Sequence, residues 1–440
     1  MAHNSFAPLI ERVGRVTFRR DGGVVTALTA GAVTVDGLKN KAAIGDQVAL
    51  QNGVTGEIVS FSSGRARVML EGQLNGLRPG MSAMHLGKRD VFPSNTWIGR
   101  VLDASGNPLD DRLIDTGQTP RDLNAAPPKA TARRALGPRL RTGLSIFDTL
   151  LPLVRGQRIG LFAGSGVGKS RLLAALAQGI EADVVVIGLI GERGREVREF
   201  VAETLGEEGL KRAVVVAATS DQPALTRMRA AYTMMAAAEY FRDQGKHVLL
   251  LADSITRFAE AQREVATIAG ETASIGGFPA SLTQQIMGLC ERAGPGAGAQ
   301  GDITAIMSVL VQGSDMEGPV ADIMRGVLDG HVVLDRDIAE RGRYPAINVL
   351  RSVSRSLPGA ANAAQNALIQ KSRQLLGAYD RIEMMLQAGL YAPGHDPIAD
   401  EAVRVWPKLD QFIALPSDSV ETSFANLAAI LAPPSNDAAG

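Results

Sequence analysis

Cysteine is nearly absent from this chain of 440 residues. Its single thiol, Cys290, excludes an internal disulfide framework and fits a reducing compartment, where a small core side chain is its ordinary role. Net charge is missing as well. Lys plus Arg and Asp plus Glu both total 46, so no global basic field recommends nucleic acid or an anionic membrane. No apolar run approaches the ~18 residues of a membrane span, and none precedes Glu11 and Arg12, which points to a cytoplasmic address without a transmembrane segment. Aromatics are 4% of the chain, and between residues 1 and 90 they are only Phe6, Phe18 and Phe61. A β-domain there lacks the stacking rings that single-stranded nucleic acid needs, so packing or subunit contact is the better expectation. What is present, 45% hydrophobic content in a chain long enough for two or three domains, suffices for real cores.

Residues 15–70 hold short β-rich runs, such as 33–35 and 57–61, separated by Asp21-Gly22-Gly23, Asp36-Gly37, Asn52-Gly53 and Ser63-Gly64. This turn spacing predicts a small closed β-domain. The first dozen residues suit either a short amphipathic helix, with Phe6, Leu9 and Ile10 on one side, or a frayed terminus. Residues 97–110 read as the start of a further domain, followed by an ordered, proline- and charge-rich connection to Pro138. From Gln157 onward, apolar strands at 158–163, 183–190, 213–217, 247–253 and 303–311 alternate with helices, notably 223–244. Alternation of this kind predicts an α/β domain with a mainly parallel sheet and ligands at the carboxyl ends of its strands. After Pro358 the pattern becomes helical: Leu368, Leu375, Tyr379, Ile382 and Leu386 recur at helical spacing, and Asp396-Pro397 opens another helix to about Ile413. The last residues, PPSNDAAG, read as a loose tail.

The chain is organised around Arg158–Gly179, RIGLFAGSGVGKSRLLAALAQG, which reads as strand, phosphate loop and helix. Gly164, Gly166 and Gly168, with Ser165 and Val167 between them, let the backbone aim successive N–H groups at one point near the positive end of a helix. A triphosphate suits that point: Lys169 would reach its β- and γ-phosphates and the Ser170 hydroxyl would ligate Mg2+. The spacing matches G-x-x-x-x-G-K-[ST], except that Ala163 stands for the first glycine.

Two carboxylates follow. Asp253 closes the apolar strand HVLLLAD, where it can accept from a magnesium-bound water; capping a helix is its plainer role. Glu192 leaves a strand end beside the phosphate site, placed to orient a water in line with the γ-phosphate, unless it is merely a first-turn glutamate facing a helix dipole. In RGRYPAINVLRSVSR, Arg355 suits an arginine directed across a subunit boundary, and Tyr344, fixed by Pro345, suits stacking on adenine. A surface arginine and a core tyrosine are the bland readings.

Together FAGSGVGKS, IGERGREVREF, HVLLLADSITRFA, VLDGHVVLDRDIAERGRYPAINVLRSVSR and GRVLDASGNPLD resemble, over nearly the whole chain, the ATPases of type III protein export, relatives of rotary ATP synthase catalytic subunits. AGSGVGKS and YAPGHDPIADEAV look more like the flagellar than the virulence-injectisome branch. The resemblance implies an N-terminal β-barrel over residues 1–88, a RecA-like P-loop nucleotide domain over 89–360 and a C-terminal helical domain over 361–440. It further implies an Mg-ATP hydrolase that assembles as a homohexamer at a membrane export gate. Its implied partners are a stator-like regulatory protein, export chaperones and exported flagellar proteins, and its place is peripheral, at the inner face of the cytoplasmic membrane. It assigns Lys169 and Ser170 to phosphate and magnesium, Glu192 to the water, Asp253 to magnesium, Tyr344 to adenine, Arg355 to the neighbour's nucleotide and Arg193 to the γ-phosphate at the interface. ETASIGGFPAS, Gln312 and Ser314 depart from the family's usual pattern, which touches the central pore loop or regulation. An RNA-translocating hexamer and a non-catalytic nucleotide-binding ring subunit are the other readings; the weak basic and aromatic content of residues 1–90 disfavours the first, and the presence of Glu192 the second.

Overall fold

The structure is a computed structural model that describes residues 21–433, apart from 73–74, 111, 274 and 312–315. The segment around Phe6, Leu9 and Ile10, read as either a short helix or a frayed terminus, the departures at Gln312 and Ser314, and most of the expected tail lie outside the described residues. Contacts divide the chain into two compact units: residues 1–90 with 223–225 and 263–273, and the remainder.

The first unit is built on six antiparallel strands, β1 (Gly22–Thr29), β2 (Ala32–Asp36), β3 (Asp46–Leu50), β4 (Thr55–Ser62), β5 (Arg65–Leu70) and β6 (Ser82–Lys88). They close as a barrel in the order β1-β2-β5-β4-β3-β6. Val25, Val35, Val48, Ile58 and Val68 fill its interior, because alternate side chains of each strand face inward. Bulges between Val25 and Ala27 and between Ile58 and Ser60 give the curvature that closure requires.

The second unit contains a nine-stranded sheet: eight strands in line and a two-residue strand, Gly294–Pro295, paired antiparallel off that path. The strands in line are β7 (Arg100–Leu102), β8 (Arg158–Ala163), β9 (Val184–Glu192), β10 (Ala213–Thr219), β11 (His247–Asp253), β12 (Asp302–Leu310), β13 (Gly330–Leu334) and β14 (Ile347–Ser354), in the order β14-β13-β8-β12-β11-β9-β10-β7. All these pairings are parallel except β13 with β14. The five expected strands are its centre. β7 at one edge, and β13 with β14 at the other, extend it beyond expectation.

Helices on both faces bury the sheet. They include α1 (Lys169–Gly179), α2 (Gly194–Glu199), α3 (Ala224–Arg242), α4 (Ile255–Ala269), α5 (Ser281–Arg292), α6 (Pro319–Val327) and α7 (Arg336–Glu340). Phe162 and Phe241 are fully buried on one face, and Phe147 and Phe412 on the other. Cys290 lies in the first of these cores beside Met307, its thiol pushed up to about 12 by burial, so it is an inert packing residue.

Beyond the sheet come α8 (Ala363–Gln387), α9 (Pro397–Ala414) and α10 (Val420–Leu431). Each begins on a side-chain cap: Asn362 with Gln365 in a capping box, Asp396, and Ser419. Ile369, Leu375, Leu409 and Phe412 of these helices share one core with the sheet.

Candidate functional site

The parallel strands deliver their carboxyl ends to one rim, where α1 begins. Ala163, the last residue of β8, is fully buried in extended backbone. Its methyl faces the core, and no left-handed conformation is demanded of it, so alanine is tolerated where a glycine was expected. Gly166 (φ 77°) and Gly168 (φ 87°) take the left-handed bends that the loop needs. Val167 turns its side chain, 2% exposed, into the core, so it pins the loop and leaves only its backbone for a ligand. Arg212 holds the far end of α1 by donating to the carbonyls of Ala177, Gln178 and Ile180.

Lys169 opens α1, and its Nζ donates to Oδ1 of Asp253 while lying 3.6 Å from Oε1 of Glu192. Asp253, buried at the end of β11, also accepts from Ser308 Oγ on β12 at 2.6 Å. Glu192 is the final residue of β9, carried past the strand's regular register by a bulge at Gly191 (φ 69°). The strand therefore runs two residues further than the apolar pattern suggested. Burial, and then the negative charge of Asp253, push the Glu192 carboxyl up to about 7, against the pull of Lys169. Glu196, one turn on, is hydrogen-bonded to Glu192; burial would raise its pKa, but its bonds with Glu192 and Arg193 hold it below the ordinary value.

A cleft of about 770 Å³ opens above these groups. Ala163, Gly164, Ser165, Gly166, Gly168, Lys169 and Ser170 line it, and so do Glu192, Arg193 and Tyr344. Tyr344 is 48% exposed, not a core tyrosine, and a Cβ built at Gly168 would stand 3.1 Å from its ring. Arg193 is paired with Glu196 at 2.9 Å and otherwise faces solvent. Below the cleft, Ser170, Glu192, Glu196 and Asp253 line a recess of about 20 Å³.

The donor set of that recess, a hydroxyl and carboxylates, is the hard-oxygen chemistry that Mg2+ prefers. The Lys169 ammonium lying between Asp253 and Glu192 marks the same floor as a cation seat. Among the described residues no three His, Cys, Asp or Glu side chains converge as a metal cage.

Arg355 is not brought to this cleft. It follows β14, whose Ser354 pairs with Gly330 at the start of β13, whereas Val333 of β13 pairs with Phe162 beside the phosphate loop. The arginine therefore sits at the opposite end of the sheet, roughly a strand's length of ~15 Å away. There it donates to the carbonyls of Leu328 and Arg325, both at 3.1 Å.

Sequence reading missed Arg257, Glu196 and Ser308. Arg257 of α4 lines the cleft, packs beneath Gly191 and bonds Glu260 at 2.8 Å, while its buried Nε has no hydrogen-bond partner. The four-residue step from Asp253 to Arg257, one helical turn after a strand end, was the available signal for it.

Comparison with known proteins bears on this geometry. Residues 143–354 match the ATP synthase alpha/beta family nucleotide-binding domain, and residues 361–428 match the T3SS EscN ATPase C-terminal domain. A flagellum-specific ATP synthase of Caulobacter vibrioides is 43% identical, over 97% of this chain and 99% of its own length. The SPI-2 type 3 secretion system ATPase of Salmonella typhimurium is also 43% identical, over 83% of this chain and 84% of its own. Among solved structures, the assembled ATPase EscN of the enteropathogenic E. coli type III secretion system superposes with a TM-score of 0.88 at 35% identity, covering 93% of this chain and all of that one. EscN assembled with its central stalk EscO gives 0.85.

Proposed function

We infer the function from one premise: the chain belongs to the ATP synthase alpha/beta family and, within it, to the ATPases of type III export. It is an ATP hydrolase coupled to protein export, of the flagellum-specific kind. The observation that carries the catalytic reading is the meeting of Lys169, Glu192 and Asp253 at the mouth of the glycine loop, inside one cleft.

The loop N–H groups and Lys169 hold the β- and γ-phosphates of ATP. Ser170 and Asp253 would hold Mg2+, which when bound neutralises charge on the phosphate oxygens. Glu192, as carboxylate, accepts a hydrogen bond from the attacking water and aligns it. Arg193 and Arg257 add positive charge along the cleft wall, and Tyr344 stacks on the base. Arg355 serves the pocket of an adjacent copy, because its own lies at the other end of the sheet.

A homohexameric ring working at the cytoplasmic face of the membrane follows as the proposed assembly. EscN, which superposes on this chain, has been solved assembled and with a stalk protein. Among the described residues no helix is long and apolar enough to cross a membrane, so attachment would be peripheral. A stator-like regulator, export chaperones, the export gate and exported flagellar proteins are the proposed partners, and residues 1–88, 89–360 and 361–440 the proposed functional segments.

The test is Glu192→Gln. It is expected to keep ATP binding and to lose turnover by about a hundred-fold or more; turnover near wild type would remove Glu192 from the mechanism. The similarity to the SPI-2 ATPase supports a second reading, service in an injectisome. Deleting the gene separates the two, as lost filaments and swimming on one side and lost effector secretion on the other.

A further inference from the structure

The loop that carries Tyr344 is flanked by two arginines, and both are fastened to the C-terminal helices. The Arg343 side chain is only 9% exposed. It donates to the carbonyls of Pro345 and Ile347 at 2.8 and 2.9 Å, and its Nε lies 3.2 Å from Asp410 on α9. Arg341 reaches Glu383 on α8 at 3.2 Å. Its guanidinium lies 5.7 Å from the centroid of Trp406, which is itself stacked on Tyr379 at 4.3 Å. Neither arginine lines the nucleotide cleft; both line a separate groove of about 490 Å³ walled by β14, α7, α8 and α9.

Chain connectivity leaves little slack between the two places. Tyr344 follows Arg343 directly, its ring lies against Gly168, and Ile347 already belongs to β14. Asp335 closes the loop from the other side, its N–H donating to Ala346 O at 2.8 Å and its carboxylate accepting from Asn348 at 3.1 Å. Any shift of α8 or α9 against the sheet therefore pulls on the backbone beside the tyrosine. A pair of arginines that only glued the helices down would have no reason to flank this ring.

We propose that Arg343 and Arg341 are positioning residues for ATP binding: they tie the Tyr344 loop to the C-terminal helices, so that the width of the base slot is set from that region. The proposal rests on the reading of Tyr344 as the base contact. Arg343 acts through the ring and touches no nucleotide, which separates its expected effects from those of the phosphate-loop residues.

The experiment titrates a fluorescent ribose-labelled ATP analogue into full-length variants and measures KM and kcat for ATP beside it. Arg343→Met and Asp410→Asn weaken analogue binding and raise KM on the order of ten-fold, and Arg341→Met about three-fold, with kcat held within about two-fold. The Arg341–Glu383 pair, 43% and 33% exposed, keeps the test open should Arg343→Met fail to fold. There the swap Arg341→Glu with Glu383→Arg regains most of the affinity that either change alone loses. Tyr344→Ala combined with Arg343→Met binds no more weakly than Tyr344→Ala alone, because the arginine has no ring left to place. Losses that multiply in that double variant overturn the proposal, as do single variants that melt earlier yet bind the analogue as wild type does. Tyr344→Ala with undiminished binding refutes the base-contact reading itself, and the positioning role falls with it.

Discussion

Two carboxylates that share one lysine cannot both keep ordinary acidity. Asp253 takes the closer contact, and Glu192, buried beside that negative charge, is pushed up to about 7. The folded state thus holds the Glu192 proton more tightly than an unfolded chain does. The stabilisation from this group is complete below its ordinary acidic pKa and is lost as pH rises through about 7. Glu192→Gln removes the loss, so the variant's Tm should gain on wild type between about pH 5 and pH 8, measured by thermal melts across that range. Activity has the opposite sign, since the water-accepting form is the carboxylate. The wild-type kcat/KM should fall as pH drops through about 7, a limb absent from the residual activity of the variant. Lys169, Ser170, Glu192 and Asp253 were readable because each stands at a strand end or in a loop whose spacing announces it. Ser308 was not, since it is qualified only by the strand that lies beside Asp253, and Glu196 and Arg257, each one helical turn beyond a strand-end carboxylate, carry a signal too common along helices to single them out.

At the scale of elements, the phosphate loop is only as steady as the helix behind it. Arg212 covers three carbonyls at the C-terminal end of α1, where a cation also meets the negative end of the helix dipole. Arg212→Met should lower stability by about 1–2 kcal/mol and Tm by a few degrees, read by denaturant and thermal melts. The five central strands were legible because, buried on both faces, they are continuous apolar runs. β14 was hidden: Arg351 and Ser352 interrupt its apolar content, and alternation marks it as a strand only once β13 is known to lie beside it. Between α2 and the short helix Gly206–Leu210, the residues Phe200–Leu205 wind as a π-helix. Phe200 and Leu205 stay buried either way, so the apolar pattern carries no trace of the wider winding.

At the scale of the molecule, the role proposed for Arg355, which lies far from its own glycine loop, would make activity a property of neighbours. Arg355→Ala and Lys169→Ala are each expected to lose turnover by about a thousand-fold. Mixed in equal amounts and allowed to assemble at random, they should recover about a quarter of wild-type turnover, because one junction in four pairs an intact loop with an intact arginine. A mixture no more active than its parts would place the arginine's role elsewhere. The barrel, the sheet and the C-terminal helices were all legible as kinds of structure from turn spacing, alternation and helical periodicity. The polarity that sets loop and arginine at opposite ends of one sheet was not, because it depends on the direction of β14.

That polarity gives each subunit a head and a tail. With Arg355 in its proposed role, every junction of an open row would complete one pocket, so the row would have one pocket fewer than it has members. The subunit that closes the circle makes two junctions at once and erases the deficit. Turnover per chain should therefore register closure as a step, and a row that stops short keeps one member permanently idle at its end.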